Sequence, residues 1–320
     1  MKVLVIGGAG YIGSHVVWDL ADKGHTVHVL DNLSTGYREN VPADVSFIQG
    51  DILDKETLDK AMKNMDAVVL LAAKKAVGES MKNPVLYAEN NLVGTINVLN
   101  AMHKHGVRFV IFSSSAAVYG VPDKDILDET SPLNPINFYG FTKLEIERLL
   151  EWYSKLTDIR FVALRYFNAV GYDVKGRVKG QEKNAQNLLP VVMETLIGKR
   201  PKMQVFGDSY PTPDGTCIRD YIHVNDLADA HTRSLMYLAE NQTSQIFNLG
   251  TGKGLSVLEI LTAVESVTGK KVAWEFAPPR PGDPAILRAS SEKAKEILGW
   301  VPTHSDVQTI VQSTWQIYKP

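Results

Sequence analysis

Six short apolar runs, at 3–6, 27–30, 45–48, 67–71, 109–112 and 161–164, alternate with longer segments whose apolar residues recur at helical spacing, at 12–22, 55–63, 86–105 and 141–155. The runs are rich in β-branched residues and apolar nearly throughout, as strands covered on both faces must be. A strand with one wet face would alternate instead. The helical segments are long enough to carry the chain back over a sheet, which parallel neighbours require. The pattern predicts an α/β fold: a doubly wound parallel sheet with helices on both sides.

Beyond residue 167 the alternation fades. The stretch 171–186 is rich in Lys, Gly and Gln with few apolar anchors, which predicts a mobile loop. A helix is expected over 188–198, and Ser256 with Glu259 has the spacing of a capping box at a further helix start. These features predict a smaller C-terminal α/β lobe. The expected division is 1–167 for the first domain and 168–320 for the lobe, with parts of 219–250, namely 221–223 and 246–249, returning to the first sheet.

With 320 residues, 44% of them hydrophobic, the chain can bury a large core. Its 34 basic and 36 acidic side chains leave a net charge of −2, too little field to gather nucleic acid or a membrane surface. The expected partner is a small molecule. A single cysteine, Cys217, excludes an internal disulfide framework, and one thiol beside eight histidines predicts no metal site. No apolar run approaches the ~18 residues of a spanning helix, and the amino terminus opens directly into a strand pattern, so the cytoplasm is the expected compartment.

Between the first strand and the first helix stands Gly7-Gly8-Ala9-Gly10-Tyr11-Ile12-Gly13. Glycines there permit a tight turn, a close approach of backbone to pyrophosphate, and close packing of helix on strand. The helix start offers its N–H groups and positive end to the phosphates. Asp31 closes the second strand, where a carboxylate accepts hydrogen bonds from both ribose hydroxyls. It would repel a 2′-phosphate, and residues 32–35 are Asn, Leu, Ser and Thr with no arginine. The sheet is therefore expected to be Rossmann-type, and the cofactor NAD, not NADP.

The fifth strand runs into Ser113-Ser114-Ser115, and in a doubly wound sheet ligands lie outside the carboxyl ends of the strands. Downstream, Tyr139 and Lys143 stand one turn apart at the head of a helical run and share a face. A phenol is a poor base at neutrality, but a neighbouring ammonium and a cationic nicotinamide ring favour its anion. Ser115 is placed to hold the charge that develops as an alkoxide becomes a ketone. The set predicts oxidation of a sugar alcohol by Ser115, Tyr139 and Lys143.

The residues quoted so far, with Lys75-Ala76-Val77-Gly78-Glu79-Ser80, Ser113 to Gly120, Arg165-Tyr166-Phe167-Asn168 and Arg219-Asp220-Tyr221-Ile222-His223-Val224, resemble the extended short-chain dehydrogenase/reductase family. The similarity covers almost the whole chain and is most specific toward the UDP-glucose (UDP-galactose) 4-epimerases. It implies an isomerase that inverts C4 through a transient 4-keto sugar, with tightly bound NAD. It implies cofactor contacts at Gly7, Gly10, Tyr11, Ile12, Gly13, Asp31, Asn32, Leu33, Ser34, Thr35 and Gly36. Asp51 and Ile52 would lie at the adenine, Lys75 at the nicotinamide ribose and Asn90 near the pyrophosphate. Leu71, Ala72, Ala73, Ser113, Tyr139, Lys143 and Phe167 would complete the pocket. The UDP-sugar would meet Lys75, Ser115, Tyr139, Asn168, Asn187, Leu188, Arg219, Arg280 and Asp283, the two arginines clamping the diphosphate. Asn187 is equally placed to cap the helix that follows it. Leu287 falls where such enzymes gate bulky sugar substituents, and it serves equally well as packing. A homodimer through helices 86–105 and 141–155 is also implied.

Other uses of this scaffold remain. Sugar-nucleotide dehydratases carry Asp and Glu after the serine or threonine, and here those places hold Ala116 and Ala117. A UDP-glucuronate 4-epimerase or decarboxylase shares the scaffold, and so does a non-catalytic NAD-sensing protein, although sensors tend to lack the tyrosine and lysine.

Overall fold

Seven parallel strands form the centre of the computed structural model, which describes residues 1–183, 185–280 and 283–320. In chain order the elements of the first half are β1 (Lys2–Ile6), α1 (Tyr11–Asp22), β2 (Thr26–Asp31), β3 (Ser46–Gln49), α2 (Lys55–Ala61), β4 (Ala67–Leu70), α3 (Val77–Ser80), α4 (Pro84–Tyr87), α5 (Gly94–His105), β5 (Phe109–Ser115), β6 (Ile126–Leu127), α6 (Phe138–Leu156) and β7 (Arg160–Tyr166). The second half adds β8 (Asn168–Val170), α7 (Leu188–Leu196), β9 (Met203–Phe206), β10 (Ile218–Arg219), β11 (Tyr221–His223), α8 (Val224–Asn241), β12 (Gln245–Leu249), β13 (Leu255–Ser256), α9 (Val257–Thr268), β14 (Trp274–Ala277), β15 (Ile286–Ala289), α10 (Glu292–Leu298) and α11 (Val307–Tyr318).

The main sheet runs β12-β7-β5-β4-β1-β2-β3, so the direction of winding reverses between β1 and β4. That reversal opens a crevice at the strands' carboxyl ends. Successive side chains of a strand face opposite ways, and β1 shows what its apolar run is for. Val3 and Val5 pack with Val16, Val17, Leu20 and Leu235 beneath α1 and α8, while Leu4 and Ile6 pack with Leu58, Val98, Leu99 and Ile146 beneath α2, α5 and α6.

Three helical expectations change in detail. The helix expected over 86–105 is α4, a π-helical turn at Ala88–Val93, and α5. The wide turn brings Asn91 inward, where it is 1% exposed. α6 starts earlier than the apolar spacing suggests because the Asn137 side chain accepts a hydrogen bond from Gly140 N at 2.8 Å and caps it. α7 ends at Leu196, two residues short of the expected stop. The capping box at Ser256 and Glu259 is present.

The lobe has its own core of Val170, Tyr172, Leu189, Val192, Ile260, Val264, Ile310 and their neighbours. Its strands, joined by β6 from the first half, form three small sheets, β13-β10-β15-β6, β11-β8 and β14-β9. β12 returns to the main sheet beside β7, as expected of 246–249. Residues 221–223 do not; β11 pairs instead with β8, which leaves the main sheet just after β7.

The loop after β8 is packed down, contrary to the free loop its composition suggests. Arg177 grips Asp173 and Asp22 and covers the Trp18 ring, Gly180 N donates to Asn40 Oδ1 at 2.8 Å, and Lys183 Nζ reaches the Gly36 carbonyl at 3.3 Å. Its polar side chains serve as ties, so few apolar anchors are needed. Among the described residues, no helix is long and apolar enough to cross a membrane.

Candidate active site

Gly7 turns the chain out of β1 with φ +85, and a Cβ on it would lie 2.7 Å from the Ala72 backbone nitrogen. Gly13 is tighter still, since its Cβ would stand 2.0 Å from the Gly7 carbonyl oxygen. Across the turn, a Cβ on Gly36 would meet the Ala9 backbone at 2.7 Å. Only hydrogen fits at such approaches. α1 opens at Gly10 with no side-chain cap, so its first N–H groups are left for an anion.

Asp31 is 8% exposed at the end of β2, and its carboxylate accepts hydrogen bonds from Ala9 N at 2.9 Å and Leu33 N at 2.8 Å. Leu33 adopts φ 59, a left-handed conformation that this hydrogen bond supports. Asn32 donates to Asp51 at 2.7 Å and accepts from Ser34 N at 2.9 Å, with Thr35 exposed beside them. The segments 31–36 and 51–52 thus meet at one end of the crevice. Ile52 is buried there against Gly94.

Past β4, the Leu71 and Ala72 nitrogens both donate to the Ile6 carbonyl, at 2.9 and 3.0 Å. The chain continues through Ala73 to Lys74, whose backbone is held by Asn91, and to Lys75, whose ammonium pairs with Glu182 from the packed loop. Asn90 turns its amide onto its own helix, donating to the Leu86 carbonyl at 3.0 Å.

At the end of β5 the three serines diverge. The Ser113 hydroxyl meets His231 Nε2 at 2.8 Å, Ser114 donates to Glu147, and Ser115 accepts from Ala117 N at 3.2 Å. The Ser113 carbonyl accepts from Lys143 Nζ at 2.7 Å, which fixes that ammonium 5.8 Å from the centroid of the Tyr139 ring. Tyr139 N in turn donates to the Ser80 hydroxyl at 3.1 Å. Ser115, Tyr139 and Lys143 therefore converge as their order in the chain suggests.

Burial raises the Tyr139 pKa, and the facing Ser115 hydroxyl partly offsets this. Burial also pulls Lys143 down to about 7, against the attraction of Glu147. Desolvation penalises both charges more than their proximity rewards them.

Sequence reasoning missed the polar layer beneath this set. Arg165 forks onto Glu147 at 3.0 and 2.6 Å and reaches the Tyr119 hydroxyl at 3.0 Å, and Tyr119 donates to Asn248 at 2.7 Å. Two signals were available: an arginine terminating an apolar strand, and a glutamate one turn beyond Lys143 on its buried face. Asn91 is a further omission, signalled only by its place next to Asn90.

The remaining expected residues lie in the lobe. Arg219 Nη2 pairs with Asp283 Oδ1 at 2.5 Å, and Arg280 lies over the Phe206 ring at 4.0 Å. Asn168 donates from its side chain to the Asp220 carbonyl at 3.0 Å. Asn187 stands at the cap position of α7 without capping it, and its amide faces Glu182 at 3.2 Å. Leu188 packs onto the lobe core, while Phe167 and Leu287 pack on the same small cluster with Tyr119 and Leu144.

The sequence profile of the NAD dependent epimerase/dehydratase family matches residues 3–250, and the chain belongs to that family. A UDP-glucose 4-epimerase of Streptococcus mutans serotype c is 46% identical over 319 residues, covering 98% of this chain and 96% of that one. A crystal structure of UDP-glucose 4-epimerase from Brucella ovis in complex with NAD superposes with a TM-score of 0.96 at 43% identity, over 99% of this chain and 98% of that one. One from Bifidobacterium longum in complex with NAD+ and UDP gives 0.92 at 37% identity, over 99% and 98%. The doubly wound Rossmann-type fold is the one these epimerases share.

Proposed function

We propose that this chain is an NAD-dependent UDP-glucose 4-epimerase. The observation that carries the reading is the convergence of Ser115, Tyr139 and Lys143 at the end of β5, beside the glycine turn that follows β1. The residues present fit NAD: the glycine cradle would be filled by any Cβ, the α1 start is uncapped, and Asp31 with no neighbouring arginine suits an unphosphorylated ribose.

NAD, when bound, supplies reversible hydride acceptance at the sugar's C4. Tyr139 then takes the proton of the 4-hydroxyl, a transfer that the cationic ring and Lys143 favour. Ser115 donates a hydrogen bond to the same oxygen. Arg219 and Arg280, drawn from Asp283 and Phe206, clamp the diphosphate while the transient 4-keto sugar turns over. Turning the ring presents the opposite face of C4, to which bound NAD would give the hydride back, while Tyr139 returns the proton to the 4-oxygen, so C4 is inverted with no net redox change. The remaining assignments expected above, including Lys75, Asn90, Asn168, Asn187 and Leu188, belong to this proposal. So do the cytoplasmic compartment, the division at residue 167 and the homodimer. Exposed Val85 and Val93 beside α5, and Trp152 and Leu156 on α6, support pairing through those helices.

The test is incubation of the purified protein with UDP-galactose and no added NAD, with detection of UDP-glucose. Conversion supports both retained NAD and epimerisation. Conversion of UDP-galacturonate in preference would move the reading to uronates, and binding of NAD with no conversion of any UDP-sugar would overturn catalysis.

A further inference from the structure

Two neighbouring residues of the packed loop reach opposite rims of the crevice. Glu182 pairs with the ammonium of Lys75, in the chain that leaves β4, and Lys183 Nζ donates to the Gly36 carbonyl at 3.3 Å, in the chain that leaves β2. In the main sheet β1 lies between β4 and β2, and the glycine turn leaves its carboxyl end for α1. Strands stand ~4.8 Å apart, so β4 and β2 are separated by roughly 10 Å, a gap that a glutamate and a lysine side chain span from adjacent positions. The pair therefore joins the two rims across the switch point, where a doubly wound sheet seats its ligand.

The base of this crossing is fixed by contacts away from the crevice. Val178 is fully buried in the core of the lobe. Asn40, 1% exposed, accepts at Oδ1 from Lys179 N at 3.3 Å and from Gly180 N at 2.8 Å, and its own carbonyl is held by the Trp18 indole at 3.0 Å. Gly180 sits so close to Tyr37 that a Cβ on it would stand 2.5 Å from the ring, and the Lys183 ammonium covers the same ring, 4.6 Å from its centroid. The two ends are different. Lys183 is exposed, and so is most of the Lys75 side chain. Ties of that kind add little to the stability of a fold and part readily. Their place across the crevice gives them a use.

From this crossing we propose that Glu182 and Lys183 form a clasp that retains the dinucleotide: with both ends tied, a cofactor laid along the glycine turn is closed in, and it leaves only when one end lets go. The proposal rests on the reading of the crevice as an NAD site. It makes a side-chain bridge from the second half of the chain part of how the first half keeps its cofactor.

The readout is exchange of the resident NAD. Holoprotein is mixed with excess radiolabelled NAD, and the label taken up by the protein is followed in time, so that the rate reports release of the molecule already bound. Glu182→Gln and Lys183→Met should each speed exchange about three- to tenfold, the range open to weak exposed ties. The double variant should match the faster single within about twofold, because one open end is enough. Lys175→Ala breaks the tie of the same loop to Asp22, on the far end of α1, and should exchange at the wild-type rate. Wild-type rates in both single variants would overturn the clasp, as would a double variant whose effect is the product of the two. Equal acceleration by Lys175→Ala would reduce it to general loosening of the loop. Faster exchange in Lys183→Met with slower exchange in Glu182→Gln would show two charges acting on the cofactor separately, and would also overturn it. Wild-type protein that takes up no NAD would sink the cofactor reading itself, whereas protein that exchanges NAD and converts no UDP-sugar would sink the epimerase reading and leave the clasp standing.

Discussion

The Asn91 side chain grips Lys74 at both ends: its oxygen accepts from Lys74 N at 2.8 Å, and its nitrogen donates to the Lys74 carbonyl at 3.1 Å. The same nitrogen lies 3.0 Å from the Thr142 hydroxyl, next to Lys143. One amide thus ties the segment after β4 to the helix that carries Tyr139. Asn91→Ala leaves sheltered backbone groups unpaired and should lower stability by about 1–3 kcal/mol. On the roles proposed above, kcat should fall more than KM rises in steady-state assays, since the helix that carries Tyr139 loses its register while the lobe does not. Equal effects on both would show that the tie has no bearing on the chemistry.

Gly13→Ala should be far worse than its size suggests. The new methyl would stand 2.0 Å from a backbone oxygen that cannot move without opening the turn. The variant should emerge from purification without NAD, read from the absorbance of the denatured protein's supernatant. Gly78→Ala, whose Cβ would meet nothing within 4 Å, is the matched control and should retain it.

Arg219→Leu should raise KM for the UDP-sugar by about 10- to 100-fold, the worth of one charge-assisted hydrogen bond in a sheltered site. The effect on kcat should be smaller, because Arg219 lies on the lobe wall with Asp283 and not at the serine, tyrosine and lysine set. A kcat loss with unchanged KM would place Arg219 elsewhere in the cycle.

Acid should destabilise the fold through its buried histidines. His15 and His231 are buried, and burial lowers each to about 4. His223 is lowered by burial as well. Below pH 6.5 the unfolded chain binds protons at these rings and the native one does not, so stability present above 6.5 is lost as pH falls toward 4. Each of the first two contributes roughly 3 kcal/mol to that loss. His231→Gln keeps a hydrogen-bonding side chain without the titration, and its drop in Tm between pH 7 and pH 5 should be smaller than in the wild type.

What was legible in the sequence is what local pattern determines. The inner strands of the main sheet declare themselves because they bury both faces, and the glycine turn because no other residue fits; the edge strand β3 buries none of its four side chains fully. The Tyr139 and Lys143 pair is legible because one helical turn fixes their spacing. The π turn at 88–93 is not, since it is produced by a contact between Asn91 and a loop distant in sequence. Glu147 is marked in the sequence only by its place one turn beyond Lys143, and its partner is visible only once Arg165 is seen opposite. The packed loop after β8 hides its order for the same reason: its anchors are Asp22, Asn40 and Lys75, which its own composition does not mention. Asn187 occupies the position a cap would, and only the placement of Glu182 turns its amide elsewhere.

The outer place of β12 has a consequence for biosynthesis. During translation β7 emerges with one side already paired to β5 and the other bare, and nothing covers that bare side until residues 245–249 leave the ribosome. A nascent or prematurely stopped chain ending before that point exposes an apolar, unpaired strand, the kind that recruits other chains. Stop codons upstream of Gln245 should therefore give insoluble fragments that chaperones retain, because the strand that seals the first-half sheet is supplied by the second half of the chain.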